Sequence, residues 1–310
     1  MEPRNVDDKE LEFMAQYLGN QDLAAVKGRL LLVWRQLMAG PPPIYGCIRE
    51  MLFLEPKLRM HPCYSQALQL VSGAGDGTTA PLWVDIGCAV GTDVRALRMD
   101  GVGANQLLAI DVTPTFWNAG LQLFGDADHP PCPAVFGDIT SDAFLPPAGA
   151  GPVSMACQPF TALAQEAAKA GNLGHLVGAV QVASSVAVLH VLPEEGVTKL
   201  LTKMLLLLRP GGLLLGNAMG ADSPGDWEVA YHPGQRRYLH SAGSLHKELQ
   251  RVGYERVLVE AIPWGSEAMP AEFWGRINSH VGQENMLRAR QILVFSAWKP
   301  AAARVFAHCR

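Results

Sequence analysis

At 310 residues and 33.4 kDa the chain has room for one large α/β unit with attached segments. Apolar residues make up 49% and charged ones 17%, a globular balance that excludes wholesale disorder. The 25 Lys and Arg against 29 Asp and Glu leave a formal net charge of -4, with no basic field to hold a phosphate backbone, so nucleic acid is not an expected partner.

The stretch Met1 to Phe13 carries five acids and lacks both the apolar core of a secretory signal and the Arg and Ser bias of a transit peptide, which makes the cytoplasm the expected compartment. Residues 1–80 read as an N-terminal helical cap, broken at Gly40-Pro41-Pro42-Pro43, where the chain must be extended or turned. Such an appendage can cover a pocket. From 81 to 300, short apolar runs alternate with helical stretches, the pattern of a parallel sheet with crossover helices. Leu82 to Ile86 is the first strand, bounded by Pro81 and Gly87. Thr92 to Met99 is helical, Gly101 and Gly103 turn the chain, and the second strand, Leu107 to Ile110, runs out at Asp111. Ala134 to Phe136 follows, ending at Gly137-Asp138, then Val180 to Ser184 and Gly212 to Gly216. Glu194 to Leu208 is an amphipathic helix that stops at Arg209-Pro210-Gly211-Gly212. A helix over Ser244 to Val252 precedes two last strands, Arg256 to Ile262 and Gln291 to Trp298. The expected fold class is α/β, with a doubly wound, Rossmann-like, seven-stranded sheet.

Residues 146–179, rich in Ala, Gly and Pro, read as a surface insertion with one helix over Thr161 to Ala170, and 301–310 as a C-terminal tail. The longest apolar stretches, Val182 to Leu192 and Leu205 to Leu215, are too short or too interrupted to span a bilayer. Six cysteines, at positions 47, 63, 88, 132, 157 and 309, show neither a Cys-x-x-Cys pair nor zinc-finger spacing and read as structural thiols, with no metal site expected.

The segment Val84-Asp85-Ile86-Gly87-Cys88-Ala89-Val90-Gly91-Thr92-Asp93 is a buried strand feeding a glycine turn and then a helix. Glycine at 87 permits a backbone shape closed to other residues and a close ligand approach, while the helix start offers N–H groups to a ligand. A dinucleotide fingerprint needs three glycines, but positions 87, 89 and 92 are Gly, Ala and Thr. S-adenosylmethionine carries no phosphate, so Gly87 and Gly91 suffice for it, with Asp85 placed to meet its ammonium group. Asp111, at the end of the second strand, suits both hydroxyls of a ribose in either cofactor class. Asp138, beside Ile139 at the end of the third strand, suits an adenine amino group with an aliphatic side chain on the ring. The plain alternative is that each acid caps a helix or solvates a loop.

The spacing of Asp85, Gly87, Gly91, Asp111 and Asp138, with Leu208-Arg209-Pro210-Gly211-Gly212 before a fifth strand, resembles the class I S-adenosylmethionine-dependent methyltransferases. The run from Asp85 to Leu97, with Asp100-Gly101-Val102 and Asp111-Val112-Thr113-Pro114-Thr115-Phe116 after it, is similar to the fungal tailoring methyltransferases of meroterpenoid biosynthesis. Tyr45-Gly46-Cys47-Ile48-Arg49, Phe53-Leu54-Glu55-Pro56 and the stretch from Ser184-Ser185 to His190 look like that family too. The resemblance covers about 40 to 265 and implies S-adenosyl-L-methionine as cofactor. It implies contacts from Asp85, Gly87, Asp111, Val112, Asp138 and Ile139; Cys88 and Gly91 of the turn are candidates beside them, and Ser184 and Ser185 read either as contacts to cofactor or substrate or as small residues required by packing. It also implies a small, lipophilic acceptor methylated on a carboxylate or hydroxyl. The segment 146–179 is longer than the family's link there, and the chain after about 265 does not align.

Methyl transfer is an in-line displacement that rests on positioning, and a base helps only a neutral hydroxyl. His190, just past the fourth strand, is the candidate base, set against a packing role. The polar, aromatic segment from Asp226-Trp227 to Ser244, with Tyr231, His232, Arg236, Arg237, Tyr238 and His240, reads either as a lid whose arginines bind an acidic acceptor or as a solvated loop. Trp264 and Trp274 read as pocket wall or packing. The alternative function is a cofactor-binding protein of the same fold without methyl transfer. The oligomeric state is left open.

Overall fold

A computed structural model describes residues 2–40, 45–72, 81–147, 160–227, 236–263 and 289–301. Tyr231, His232, Trp264, Trp274, the prolines 41–43, residues 148–159 of the expected insertion and the tail beyond 301 lie outside the described residues.

The amino-terminal region is helical, with α1 (Asp8–Leu18), α2 (Leu23–Ala39), the short α3 (Gly46–Arg49) and α4 (Tyr64–Ser72). Local chemistry sets the ends of α1: Asp7 and Glu10 form a reciprocal capping box, and Gly19 closes the helix in the left-handed conformation at φ 61°. Then come β1 (Leu82–Ile86), α5 (Thr92–Met99), β2 (Leu107–Asp111), α6 (Pro114–Phe124), β3 (Ala134–Phe136), α7 (Phe160–Ala170), β4 (Val180–Val186), α8 (Glu194–Leu207), β5 (Leu208–Ala221), β6 (Gly225–Trp227), β7 (Arg237–Leu239), α9 (Ala242–Val252), β8 (Glu255–Pro263) and β9 (Ala289–Trp298).

Seven strands form one sheet in the order β3-β2-β1-β4-β5-β9-β8, and β6 pairs with β7 separately. The pairs among β1 to β5 are parallel, whereas β9 runs antiparallel to both β5 and β8. Strand order reverses between β1 and β4, which opens a crevice at their carboxyl ends, the usual ligand position in an open α/β sheet. β1 is buried at all five positions, as a central parallel strand covered on both faces should be. Side-chain alternation divides it: Val84 and Ile86 pack with α7, α8 and α9, while Trp83 packs with α4, α5 and Trp117 of α6. The first two helices ride on α6, where Leu11, Met14, Leu30 and Trp34 bury against Phe116, Leu123 and Phe124.

Three local readings are corrected. Helix α8 ends at Leu207, because Leu208 already pairs with Val180; β5 carries Pro210-Gly211-Gly212 as an irregularity in that pairing and runs on to Ala221. Within the segment read as an insertion, α7 is a packed crossover helix, its Leu163, Ala164 and Ala167 buried in the core. The β6–β7 ribbon was not expected, since three-residue strands show no period. Among the described residues no helix is long and apolar enough to cross a membrane.

Candidate functional site

The crevice at the strand ends is a cleft of about 550 Å³. Its floor is the turn from Asp85 to Val90. One wall is built by Asp111, Val112, Asp138 and Ile139, another by Ala187, Val188 and His190, and the N-terminal region closes it with Tyr45, Cys47, Phe53 and Lys57. Eight of the residues expected as cofactor contacts or base therefore line one cavity: Asp85, Gly87, Cys88, Asp111, Val112, Asp138, Ile139 and His190.

The turn is held from beneath. The N–H groups of Gly87 and Cys88 both donate to the carbonyl of Ile110, at 2.8 and 3.1 Å. Gly87 sits at φ 77°, and a Cβ there would lie 2.3 Å from Cγ2 of Val188, so both backbone and space require glycine. Ala89 is also left-handed, at φ 48°, and its N–H donates to Oδ2 of Asp111 at 2.8 Å. Asp111, 6% exposed, is thus aimed by the turn itself, and burial raises its pKa against the backbone donors that favour the carboxylate. Val112 beside it is 54% exposed, an apolar side chain open at the cleft wall.

Asp85, 4% exposed, accepts from the hydroxyl of Ser184 at 2.7 Å, and Ser184 in turn accepts from Nε1 of Trp83 at 2.9 Å. Burial pushes the Asp85 carboxyl up to about 7, and the neighbouring Asp93 adds to the shift. Asp93, to which sequence spacing assigns no role, also lines the cleft and is raised to about 6 by burial. Its Oδ1 accepts from the N–H of Leu58 at 2.8 Å, tying the cap to the first turn of α5. Asp138 is exposed, and one of its oxygens accepts from both the N–H and the hydroxyl of Thr140, at 2.9 and 2.7 Å, which sets the chain for Ile139.

Gly91 and Ser184 are not among the residues lining the cleft. Gly91 is backed by the protein: at φ 73°, its Cβ would meet Trp117 at 2.7 Å and Arg95 at 2.8 Å. Ser184 acts through Asp85. Cys88 lends the cleft its place in the turn, while burial raises its thiol pKa well above the ordinary value.

His190 lines the cleft, but its surroundings narrow the chemistry expected of it. Its Nδ1 accepts from the N–H of Met219 at 3.3 Å, which places the ring proton on Nε2. Burial lowers its pKa to about 3, and the charges of Arg237 and Lys57 act in the same sense. The ring is a neutral hydrogen-bond donor and a poor base. Arg237 is 3% exposed, yet lines the same cavity. The ribbon that carries it is fastened to the segment after β4, through Trp227 Nε1 to the carbonyl of His190 at 3.3 Å and the N–H of Tyr238 to that of Leu192 at 2.8 Å. Arg236 points outward, 3.9 Å from Asp226 and largely exposed. His240 is buried with Nδ1 at 2.9 Å from the hydroxyl of Ser244 and is not among the residues that line the cleft.

No protein-family model matches the chain. Among curated proteins it is 34% identical over 98 residues to the methyltransferase adrK of Penicillium roqueforti, covering 32% of this chain and 33% of that one. It is 35% identical over 82 residues to the methyltransferase ausD of Aspergillus calidoustus, covering 26% of this chain and 27% of that one. A longer match, 25% identity over 215 residues, joins it to the O-methyltransferase phiE of a fungal species (strain ATCC 74256), covering 68% of this chain and 60% of the relative. The first matches thus span about a third or less of those relatives' length. Among solved structures, phosphoethanolamine N-methyltransferase 2 of Haemonchus contortus aligns over 96% of this chain and 61% of its own, at 11% identity and TM-score 0.49. The 1,6-didemethyltoxoflavin-N1-methyltransferase of Burkholderia thailandensis aligns over 97% and 93%, at 14% identity and TM-score 0.48, likenesses too distant to speak to activity. In its seven-stranded sheet and in the stretches shared with fungal methyltransferases, the chain is similar to the class I, Rossmann-like methyltransferases, with adrK, ausD and phiE among its relatives.

Proposed function

We propose that this chain transfers the methyl group of S-adenosylmethionine to an oxygen of a small, lipophilic acceptor, and that the oxygen belongs to a carboxylate. The observation that carries the first part is the gathering of Asp85, Asp93 and Asp111 in one cleft, all with pKa values raised by burial. Buried carboxylates favour a cationic ligand that restores their charge. In this reading Asp85 and Asp93 face the ammonium-bearing tail and Asp111 takes the ribose hydroxyls. Asp138 meets the adenine amino group, and Val112 and Ile139 flank the ring. Gly87 to Val90 pass beneath. When bound, the cofactor supplies an electrophilic methyl group on sulfur; the protein's own task is to hold the acceptor oxygen in line and exclude water.

The second part rests on His190 and Arg237. A ring whose Nδ1 is already engaged by Met219, with a pKa near 3, does not deprotonate a hydroxyl at neutral pH. An acceptor that arrives ionised needs no base. Arg237 offers such an acceptor a cation that matches a carboxylate in shape, and Tyr45, Met219, Trp227 and Ile292 supply apolar wall. Methylation of a carboxylate then gives an ester and moves no proton.

The test incubates the purified chain with methyl-labelled cofactor and an extract of its source organism, followed by mass spectrometry. The expected product carries the label on oxygen and loses it in mild alkali, as an ester does. Arg237→Met should raise the acceptor KM about ten-fold or more, the value of one charge-assisted contact, with cofactor affinity unchanged. A rate that climbs through about pH 6.5 and loses that climb in His190→Asn would restore the histidine base. Cofactor bound but never spent would favour a binding protein without transfer, and nicotinamide binding would overturn the cofactor assignment.

A further inference from the structure

Arg95 in α5 takes no part in the cleft, yet among the described residues it is the largest polar side chain buried without any exposure, at 0%. A guanidinium so buried is costly to hold unless its donors are met. Four of its five are: Nε and Nη2 make a paired contact with Asp126 at 2.8 Å each, and Nη1 donates to the carbonyls of Val90 at 2.7 Å and Gly91 at 3.0 Å. The rings of Phe124 and Trp117 lie 4.3 and 5.6 Å from its central carbon. Asp126 also accepts from the hydroxyl of Tyr17 in α1 at 2.9 Å. One continuous set of charge-assisted contacts thus runs from the first helix of the cap to the back of the glycine turn.

The contact with Val90 and Gly91 fixes more than two carbonyls. A trans peptide holds its C=O and N–H on opposite sides, so drawing these oxygens back to Arg95 turns the N–H groups of Gly91 and Thr92 the other way. Thr92 lines the cleft, and the Gly91 N–H closes the turn on the Cys88 carbonyl at 2.8 Å. This also explains Gly91, where a side chain would occupy the place of the guanidinium.

We propose that Arg95 is a positioning residue that holds the glycine turn in its ligand-receiving shape, and that docking of α1 through Tyr17 and Asp126 sets cofactor affinity. The proposal rests on the cofactor reading given above. Because coupling is reciprocal, ligand in the cleft must in turn firm the first helix.

The test uses S-adenosylhomocysteine as probe. Tyr17→Phe deletes one hydroxyl and leaves the ring in place; its dissociation constant by calorimetry should rise about three- to ten-fold, the range for a residue along a coupling network. Hydrogen exchange over residues 8–18 should slow on ligand addition in the wild type and lose that response in the variant. Arg95→Met, checked for folding by circular dichroism, should weaken binding further; if it does not fold, Tyr17→Phe decides. A purely structural role would lower melting temperature while leaving wild-type affinity and ligand protection of α1, and that result overturns the proposal. Failure of the wild-type chain to bind the probe at all would instead sink the cofactor reading, and the positioning role with it.

Discussion

Replacing Asp111 by asparagine separates its two duties. The Asn side-chain oxygen can still accept the Ala89 N–H now held by Oδ2 at 2.8 Å, so the left-handed turn at φ 48° keeps its anchor. The variant loses the charge and half of the acceptor capacity offered to a ribose. Hydrogen bonds to a charged group contribute about 1.5 kcal/mol each at the low end, so two sum to about 3 kcal/mol, or about a hundred-fold in dissociation constant. Asp111→Ala goes further, leaving the Ala89 N–H without its acceptor at a fold cost of about 1–3 kcal/mol. Calorimetry with S-adenosylhomocysteine and thermal melts should therefore rank affinity as wild type, then Asn, then Ala, with the melting temperature falling clearly only in Ala. An Asn variant binding within about three-fold of wild type would refute the ribose role, since a lost charged contact is worth more than that.

Proton linkage and glycine geometry give two further expectations. Asp85 near 7 and Asp93 near 6 are raised in the folded state, so the native protein binds more protons than the unfolded chain above about pH 4, and the ligand-free protein should lose stability as pH climbs from there to about 7. A cationic ligand reverses this by favouring the ionised carboxylates: affinity should tighten between about pH 5.5 and 7.5, with proton release visible at about pH 6.5 in calorimetry run in two buffers. Proton uptake, or no pH effect, would place the ligand cation elsewhere. Gly87→Ala should cost about 2–5 kcal/mol, the left-handed penalty plus a collision with the stiff Val188 side chain, whereas Gly101→Ala, at φ 94° with nothing within 4 Å, should show the backbone penalty of about 1–2 kcal/mol alone. Denaturant titration compares them, and equal losses would mean that Val188 moves aside.

The strands are legible because the parallel runs are mostly apolar and short, and the Asp and Gly residues near the ends of the first three mark the acids of the site. What spacing leaves out is direction. Gly91 fits the motif, yet its need for glycine comes from Arg95 and Trp117 behind it. Ser184 pairs with Asp85 across β4 and β1 but spends its hydroxyl holding that carboxylate. Asp93 gives no signal of its own, because an acid in a first helical turn is ordinarily explained by the helix dipole. Arg95 carried no signal, since its partner Asp126 comes 31 residues later. The character of His190 depends on a backbone N–H contributed by Met219, 29 residues further on, which no local pattern reveals.

Four aspartates of the cleft and the two cations that act on His190 come from different elements. Asp85 and Asp111 stand near the carboxyl ends of β1 and β2, Asp138 just past β3 and Asp93 in the first turn of α5, whereas Arg237 stands on β7 and Lys57 on the cap segment, close enough for both cations to act on His190. A cavity lined in this way discriminates by sign before it discriminates by shape, because burial strengthens each charge's preference for its opposite. On the proposed function, a cationic cofactor and an anionic acceptor would be drawn to different ends and the reacting atoms would meet where the two fields adjoin, beside a histidine kept neutral by burial and by the same cations. Inverting Arg237 to Glu tests the sorting as a whole. It should abolish use of an acidic acceptor and, by placing a fourth buried acid in the cavity, raise the His190 pKa from about 3, a change that nuclear magnetic resonance of the ring can follow.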